Sequence, residues 1–169
     1  MKLHIALLIA ASFLLGYLVK GRWGQRSGRG WKDHITGLPN RADFEQSAEL
    51  GLTSGNKMAL IIIDLDNFKI VNDQQGHLAG DNLLKEAANN LLQTTSDLGT
   101  LFRWGGDEFV LLMSECPQNL TAVCTQIEEQ FDAADLGLSC STGSAKQQKS
   151  DTAATFFERA DLNLYSNKS

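Results

Sequence analysis

The chain has 169 residues, 43% of them hydrophobic, and a formal net charge of −5. That charge is divided: residues 1–32 carry six Lys or Arg and no acid, while residues 33–169 carry nine Lys or Arg against all twenty Asp and Glu, a net of −11. So acidic a region excludes nucleic-acid binding by general electrostatics, and its length predicts a single core with no separate sensory domain.

Residues 1–20 are expected to form a transmembrane helix, because Leu3 to Val19 are almost wholly apolar. Their helix would be about 25 Å long, slightly short of a ~30 Å hydrocarbon core. Lys2 and Lys20 can snorkel to close the gap. Residues 21–32 read as a basic, Gly-rich juxtamembrane linker with interfacial anchors at Trp23 and Trp31. The positive residues Lys20, Arg22, Arg26, Arg29 and Lys32 outnumber Lys2, which places the following domain on the cytoplasmic side. Beside a span, anionic lipid is the expected partner of this stretch. A cleaved signal peptide is the alternative, but no convincing cleavage site follows the apolar run. Ser12 and Gly16 form a small-xxx-small pair that could pack two spans together.

Residues 33–169 form the predicted domain. A helix is expected around residues 40–50 and a strand over 58–64, where Met58 to Ile63 make a β-branched apolar run. Asp64 ends that strand. A carboxylate held there suits a Mg²⁺ ligand, and a helix cap or turn role is the alternative. Asp66 and Asn67 read as turn formers. Gly76 and Gly80 read as breaks before a helix at 77–94, with Asp81 able to cap it and His77 structural. Leu83, Leu84, Ala87, Ala88, Leu91 and Leu92 supply its apolar stripe.

Two apolar runs, expected as strands 100–104 and 108–113, are joined through Gly105 and Gly106, which reads as a hairpin. Asp107 and Glu108 place two carboxylates at its tip, beside a turn with almost no side chain. That combination suits a divalent cation and a phosphate that must approach the backbone. A helix at 118–132, a strand at 137–143 and a helix at 152–167 complete the order. Phe156, Phe157, Ala160 and Leu164 give the last helix a buried face, and the Tyr165 ring is expected to pack in the core. Cys116, Cys124 and Cys140 are odd in number and lack metal spacing, so they read as reduced core residues. The order predicts an α+β fold, a central and mostly antiparallel sheet with packed helices.

These residues together resemble the GGDEF family of diguanylate cyclases. Asp33, Thr36, Gly37, Leu38, Asn40 and Arg41 resemble the family's opening D-x-L-T-G-L-x-N-R, with Ile35 in place of Leu. Asp64 through Asp81 match its second block, including Asp66, Phe68, Lys69, Asn72, Asp73, Gly76, His77 and Gly80. Gly105 to Phe109 are the signature, and Ala160, Asp161, Leu164, Tyr165 and Lys168 resemble the closing helix.

The resemblance implies a palm-like nucleotidyl cyclase core that condenses two GTP into cyclic di-GMP and two pyrophosphates. It implies two Mg²⁺ per active site, with Mn²⁺ able to substitute, on Asp64, the Leu65 carbonyl, Asp107 and Glu108. Asn72 and Asp81 would read guanine. A carboxylate accepts from its N1–H and N2–H₂ edge, which adenine does not present. Backbone amides near Asn67 and Phe68, with Lys69, would hold the triphosphate beside the Gly105–Gly106 turn. Lys168 would reach the terminal phosphates, and either Asp107 or Glu108 would be the base on the 3′-hydroxyl. One GTP per domain requires a homodimer, here anchored singly in the cytoplasmic (inner) membrane of a bacterium.

Three departures from the family pattern bear on activity. Ser96 and Gly99 stand where many members carry R-x-x-D for product inhibition. The chain stops at Ser169, before an Arg often expected on the γ-phosphate, and the segment from Cys116 to Thr142 is shorter than usual. The alternative function is therefore a catalytically weak GGDEF domain that binds GTP or a partner as a regulatory module. A cyclic di-GMP receptor lacks its binding pair, and a pure scaffold leaves Asp64, Asn72, Asp81 and Asp107 together without a reason.

Overall fold

The computed structural model of the chain describes residues 32–55 and 57–168. The expected transmembrane helix and most of the basic linker lie outside the described residues. Among the described residues, no helix is long and apolar enough to cross a membrane.

Helix α1 (Arg41–Thr53) opens on a capping box. The Asn40 side chain accepts from the Asp43 amide at 3.2 Å, and the Asp43 carboxylate accepts from the Asn40 amide at 3.3 Å. Strand β1 (Ala59–Leu65) follows, then α2 (Phe68–Gln75), α3 (His77–Thr95), β2 (Thr100–Gly105) and β3 (Glu108–Met113). Helix α4 (Leu120–Ala133), β4 (Cys140–Lys146) and α5 (Ala153–Asn167) complete the domain. The strands form one sheet in the order β2-β3-β1-β4, and every neighbouring pair is antiparallel. The expected α+β architecture is present.

Alternation along β1 divides the core into two layers. Ala59, Ile61, Ile63 and Leu65 pack on one side with Leu84, Ala87 and Leu91 of α3 and Ile127 and Phe131 of α4. Leu60 and Ile62 pack on the other with Phe44 and Ala48 of α1 and Phe156, Ala160 and Leu164 of α5. A strand buried on both faces cannot slip by one residue without exchanging its two layers, so its register, and the position of Asp64, is fixed.

The outer edge of β4 is filled by side chains. Glu128 accepts from the Thr142 amide at 2.9 Å and its hydroxyl at 2.7 Å. Asn163 accepts from the Ser144 amide at 2.8 Å, and the Asn167 side-chain amide donates to the Thr142 carbonyl at 3.0 Å. These contacts satisfy backbone groups that an edge strand otherwise exposes, and they fix the end of α5 against the sheet.

The structure corrects several sequence expectations. Residues 68–75 form a helix that the sequence reading did not include; Phe68 anchors it in the core and Asn67 starts it in the left-handed region, at φ 61°. Asp81 is not a cap, because α3 begins at His77 after Gly76, whose φ of 84° makes the bend. Gly80 is not a break either. It lies inside α3, where a Cβ would come within 2.0 Å of Asn72 Oδ1. Strand β4 lies three residues beyond the expected 137–143. Asp135 and Gly137, at φ 50° and 80°, belong to the turn before it, and Gly143 sits inside the strand rather than at its end. Tyr165 is 77% exposed, because the buried stripe of α5 runs through Phe156, Ala160 and Leu164. Phe157 is only half-buried, and its ring stacks on Trp104 at 3.9 Å.

Gly143 is where β4 and α5 touch most closely. A Cβ there would lie 2.3 Å from the Leu164 amide nitrogen and 2.4 Å from the Ala160 carbonyl oxygen. Those neighbours are backbone and cannot rotate away, so Gly143→Ala is expected to cost about 3 kcal/mol, the upper end for overpacking. A urea unfolding midpoint equal to that of the parent would contradict this packing.

Candidate active site

Asp64 is the last polar residue of β1. It faces Glu108 across the β1–β3 ladder and Ser141 across the β1–β4 ladder. Its carboxylate lies on the same side of the sheet as Leu60 and Ile62, the side covered by α5. Asp107 stands in the turn between β2 and β3, and its carbonyl accepts from the Leu65 amide at 3.2 Å. The hairpin tip and the end of β1 are thus one junction, and it brings Asp64, Leu65, Asp107 and Glu108 together.

Gly106 makes the turn with φ 53°. A Cβ on Gly105 or Gly106 would meet nothing within 4 Å, so the backbone there is open to a ligand. Burial raises the carboxyl of Asp107 above its ordinary value, and the neighbouring Asp64 adds to the rise. Burial likewise raises Glu108, reinforced by Asp64, Asp107 and Asp161. Four acids crowd one end of the sheet.

Two cations answer them from opposite sides. Arg103, buried on β2, donates to the Gly106 carbonyl through Nε at 3.3 Å and Nη2 at 2.7 Å. Its Nη1 donates to Asp33 Oδ1 at 2.8 Å. That oxygen also accepts from the amide and the hydroxyl of Thr36, both at 2.8 Å. Burial alone would raise the Asp33 carboxyl, but the hydrogen bonds from Thr36 and Arg103 outweigh it and hold the group below its ordinary value. The second cation is Lys168, which follows α5. It pairs with Asp64 and lies 3.3 Å from Asp66 Oδ1. Burial opposes its charge, but the hydrogen bonds and attraction of Asp64 and then Asp66 raise its pKa above the ordinary value.

Asp66 does more than form a turn. Its carboxylate accepts from the hydroxyls of Ser139 and Ser141, each at 2.8 Å, and its amide donates to the Ser139 carbonyl at 2.9 Å.

The remaining expected residues lie on α2 and α3, directly after the Asp66–Asn67 turn. The Phe68 ring is buried, so only its backbone can meet a substrate. Asn67 makes no side-chain cap bond, which leaves the first amides of α2 oriented for an anion. Lys69 is exposed one residue further on. Asn72 lies against Gly80, with its amide oxygen in the space a Cβ would need. Gly80 therefore lets α2 and α3 approach until Asn72 sits beside the residue that precedes Asp81.

Asp33, Thr36 and Arg103 were not assigned roles from sequence, and neither was the clamp on Asp66. A signal existed for Arg103, a lone cation inside the apolar run Leu101–Trp104. A groove of about 560 Å³ lined by Asp33, Asn40, Arg41, Arg103, Trp104 and Gly105 flanks the turn but touches none of Asp64, Asp107 or Glu108.

Among the described residues, no three His, Cys, Asp or Glu side chains are grouped so that they could hold a metal ion by themselves. The donors present are carboxylates and a backbone carbonyl, with an ammonium already on Asp64. This set fits an ion that takes a few hard oxygens from protein and the rest from phosphate and water.

Comparison with known proteins gives a consistent picture. The family profile described as "Diguanylate cyclase, GGDEF domain" matches residues 31–169. Diguanylate cyclase DgcS of Shewanella oneidensis is 33% identical over 144 residues, 80% of this chain and 49% of its own length. Cyclic di-GMP phosphodiesterase PdeR of Escherichia coli is 34% identical over 146 residues, 80% of this chain and 22% of its own. The chain thus spans half or less of these relatives. The crystal structure of the GGDEF domain of DgcB from Caulobacter crescentus in complex with c-di-GMP superposes with a TM-score of 0.72 at 27% identity, covering 85% of this chain and 92% of that one.

Asp33→Asn removes the partner of a buried guanidinium and is expected to cost about 3 kcal/mol. A carboxyl lowered by folding adds stability above its unfolded value, near 3.8, and loses it as pH falls through the lower folded value. The parent's advantage over Asp33→Asn should be full at neutral pH and vanish on acidification below that value. Urea melts of both proteins across pH 2–7 check it, and a difference independent of pH would refute the role of this carboxylate.

Proposed function

The chain belongs to the GGDEF family of diguanylate cyclase domains, and on that premise we propose that it joins two GTP into cyclic di-GMP with release of two pyrophosphates. The observation that carries this reading is the junction of Asp64, Asp107 and Glu108 beside an open glycine turn.

The 3′-oxygen of one GTP attacks the α-phosphorus of the other, the bond to the pyrophosphate oxygen breaks, and the step is repeated to close the ring. Asp107 or Glu108 takes the 3′-hydroxyl proton. Asn72 and Asp81 hold the guanine edge. The first amides of α2, at Phe68 and Lys69, hold the triphosphate with the Lys69 and Lys168 ammoniums, and Gly105 and Gly106 let it approach the turn. Asp64, the Leu65 carbonyl, Asp107 and Glu108 would hold two Mg²⁺, or Mn²⁺ in their place. When bound, those ions neutralise charge on the attacking and leaving oxygens.

Each domain presents one guanine pair, so the second GTP comes from a second copy, and the active species is a homodimer. The apolar segment Leu3–Val19 would anchor it as a single span in a bacterial inner membrane, with the domain in the cytoplasm. The PdeR match favours a second reading, because a protein named for phosphodiesterase activity carries a region this similar. On that reading the domain binds GTP or a partner and regulates with little turnover of its own.

GTP turnover by the full chain with Mg²⁺ decides between them. Cyclic di-GMP from the parent, reduced at least about 100-fold in Asp107→Ala, is expected. GTP bound without product, in a dimeric sample, would favour the regulatory module. Asp81→Ala should weaken GTP binding about 10- to 100-fold, the worth of hydrogen bonds to a charged group, and should narrow the preference over ATP. Unchanged KM and selectivity would remove Asp81 from the guanine site.

Cyclic di-GMP should not inhibit through the Ser96–Gly99 region. Serine lacks the guanidinium fork, and a side chain at 99 would start 2.3 Å from the Leu112 carbonyl. Inhibition that Ser96→Ala relieves would contradict this.

A further inference from the structure

We propose that Asp66 is a positioning residue that parks the Lys168 ammonium on Asp64, so that Lys168 occupies the place of a divalent cation until one arrives and stays within reach afterwards. The inference deepens the proposed reading and rests on it for the identity of the cation site. Its warrant is the asymmetry of the two carboxylates that share Lys168. Asp64 ends β1, and no other hydrogen bond to its side chain is seen among the described residues. Asp66 is immobilised by two serine hydroxyls at 2.8 Å and by its own amide on the Ser139 carbonyl at 2.9 Å. Of the two, Asp66 is the fixed post and Asp64 the group left to exchange partners.

Lys168 is also restrained from its other end. Its amide donates to the Leu164 carbonyl, and the neighbouring Asn167 is tied to the Thr142 carbonyl at 3.0 Å. The backbone that carries the ammonium is therefore held, and Asp64 and Asp66 are the two carboxylates it pairs with. A metal ion and an ammonium cannot both take the same Asp64 oxygen, so each lowers the other's affinity for it. When the ammonium yields, Asp66 retains it at the edge of the site, where its charge is available to a phosphate.

The test uses Mn²⁺ alone, without nucleotide, titrated into the full chain and read by the loss of the free-ion electron paramagnetic signal. Binding that Asp64→Asn removes defines the site. Lys168→Met is expected to tighten that binding by at least about fivefold, the low end for ligands that exclude one another. In an Asp66→Asn background the same replacement should change affinity by less than about twofold, because the ammonium no longer has its post. The double-mutant cycle cancels the direct charge effect of Asp66 on the ion. Equal tightening with and without Asp66 would overturn the positioning role, since mere proximity of a positive charge predicts that result. Binding that depends on Asp64 but ignores Lys168→Met would overturn the exchange altogether. Titrations in which parent and Asp64→Asn cannot be told apart would take the cation site of the proposed function down with it. Ser139→Ala combined with Ser141→Ala loosens the post without altering charge, and should likewise shrink the effect of Lys168→Met.

Discussion

The structure is organised around a repulsion. Asp64 and Glu108 are direct partners across β1 and β3, with Asp107 in the adjoining turn and Asp161 close enough to raise Glu108. Like charges opposite one another destabilise a sheet. Here they are held together by the ladder behind them, in which Ile63 pairs with Phe109, Ile62 with Val110 and Ile61 with Leu111, all fully buried. Separating the two carboxylates would require β1 or β3 to slip, and a slip would bring the wrong face of a doubly buried strand into each layer. Apolar burial thus maintains a charge arrangement that local electrostatics opposes. Such conflict between levels is characteristic of a functional site.

The two cations that relieve the repulsion differ in kind. Arg103 bonds the backbone of the turn and acts on Asp107 only through its charge. Its guanidinium takes the Gly106 carbonyl and is itself held by Asp33, on a segment that crosses the β2 edge where Pro39 accepts from the Arg103 amide at 2.9 Å. It is buried, permanently charged and bound on both sides, so it serves as a fixture. Lys168 is a third exposed and touches the acids themselves. An ammonium on a flexible stem pairs strongly enough to quiet the site at rest and weakly enough to be replaced.

Much of this was legible in the sequence. The order of elements, the antiparallel sheet, the glycine turn and the carboxylates at strand ends follow from period-two patterning and from residues with narrow conformational uses. Several of the differences share one cause, which is that glycine marks two opposite things. At Gly76 and Gly106 it marks a backbone bend. At Gly80 and Gly143 it marks a close approach of neighbouring elements, where any Cβ would collide with Asn72 or with the backbone of α5. Only the three-dimensional neighbour distinguishes these, so Gly80 was read as a helix break and Gly143 as a strand end. Asp81 was read as a cap for the same reason. The clamps on Asp33 and Asp66 join residues about 70 positions apart, and no local pattern encodes such pairs.

The way α5 is attached explains how Lys168 is held beside Asp64. Leu164 and Ala160 lie directly over Gly143, Asn163 and Asn167 bond the outer edge of β4, and Lys168 follows at once. The same contacts fill the polar groups by which another strand could join the sheet there. On the proposed reading a second copy is needed, and it cannot pair along β4 while Glu128, Asn163 and Asn167 hold that edge. Elsewhere on the domain, the end of the sheet that carries Asp64, Asp107 and Glu108 beside the open Gly105–Gly106 turn is where an approaching nucleotide would find both carboxylate and accessible backbone. The cost of crowding acids at that end becomes intelligible if the charge that Lys168 supplies at rest gives way to charge that arrives with the substrate.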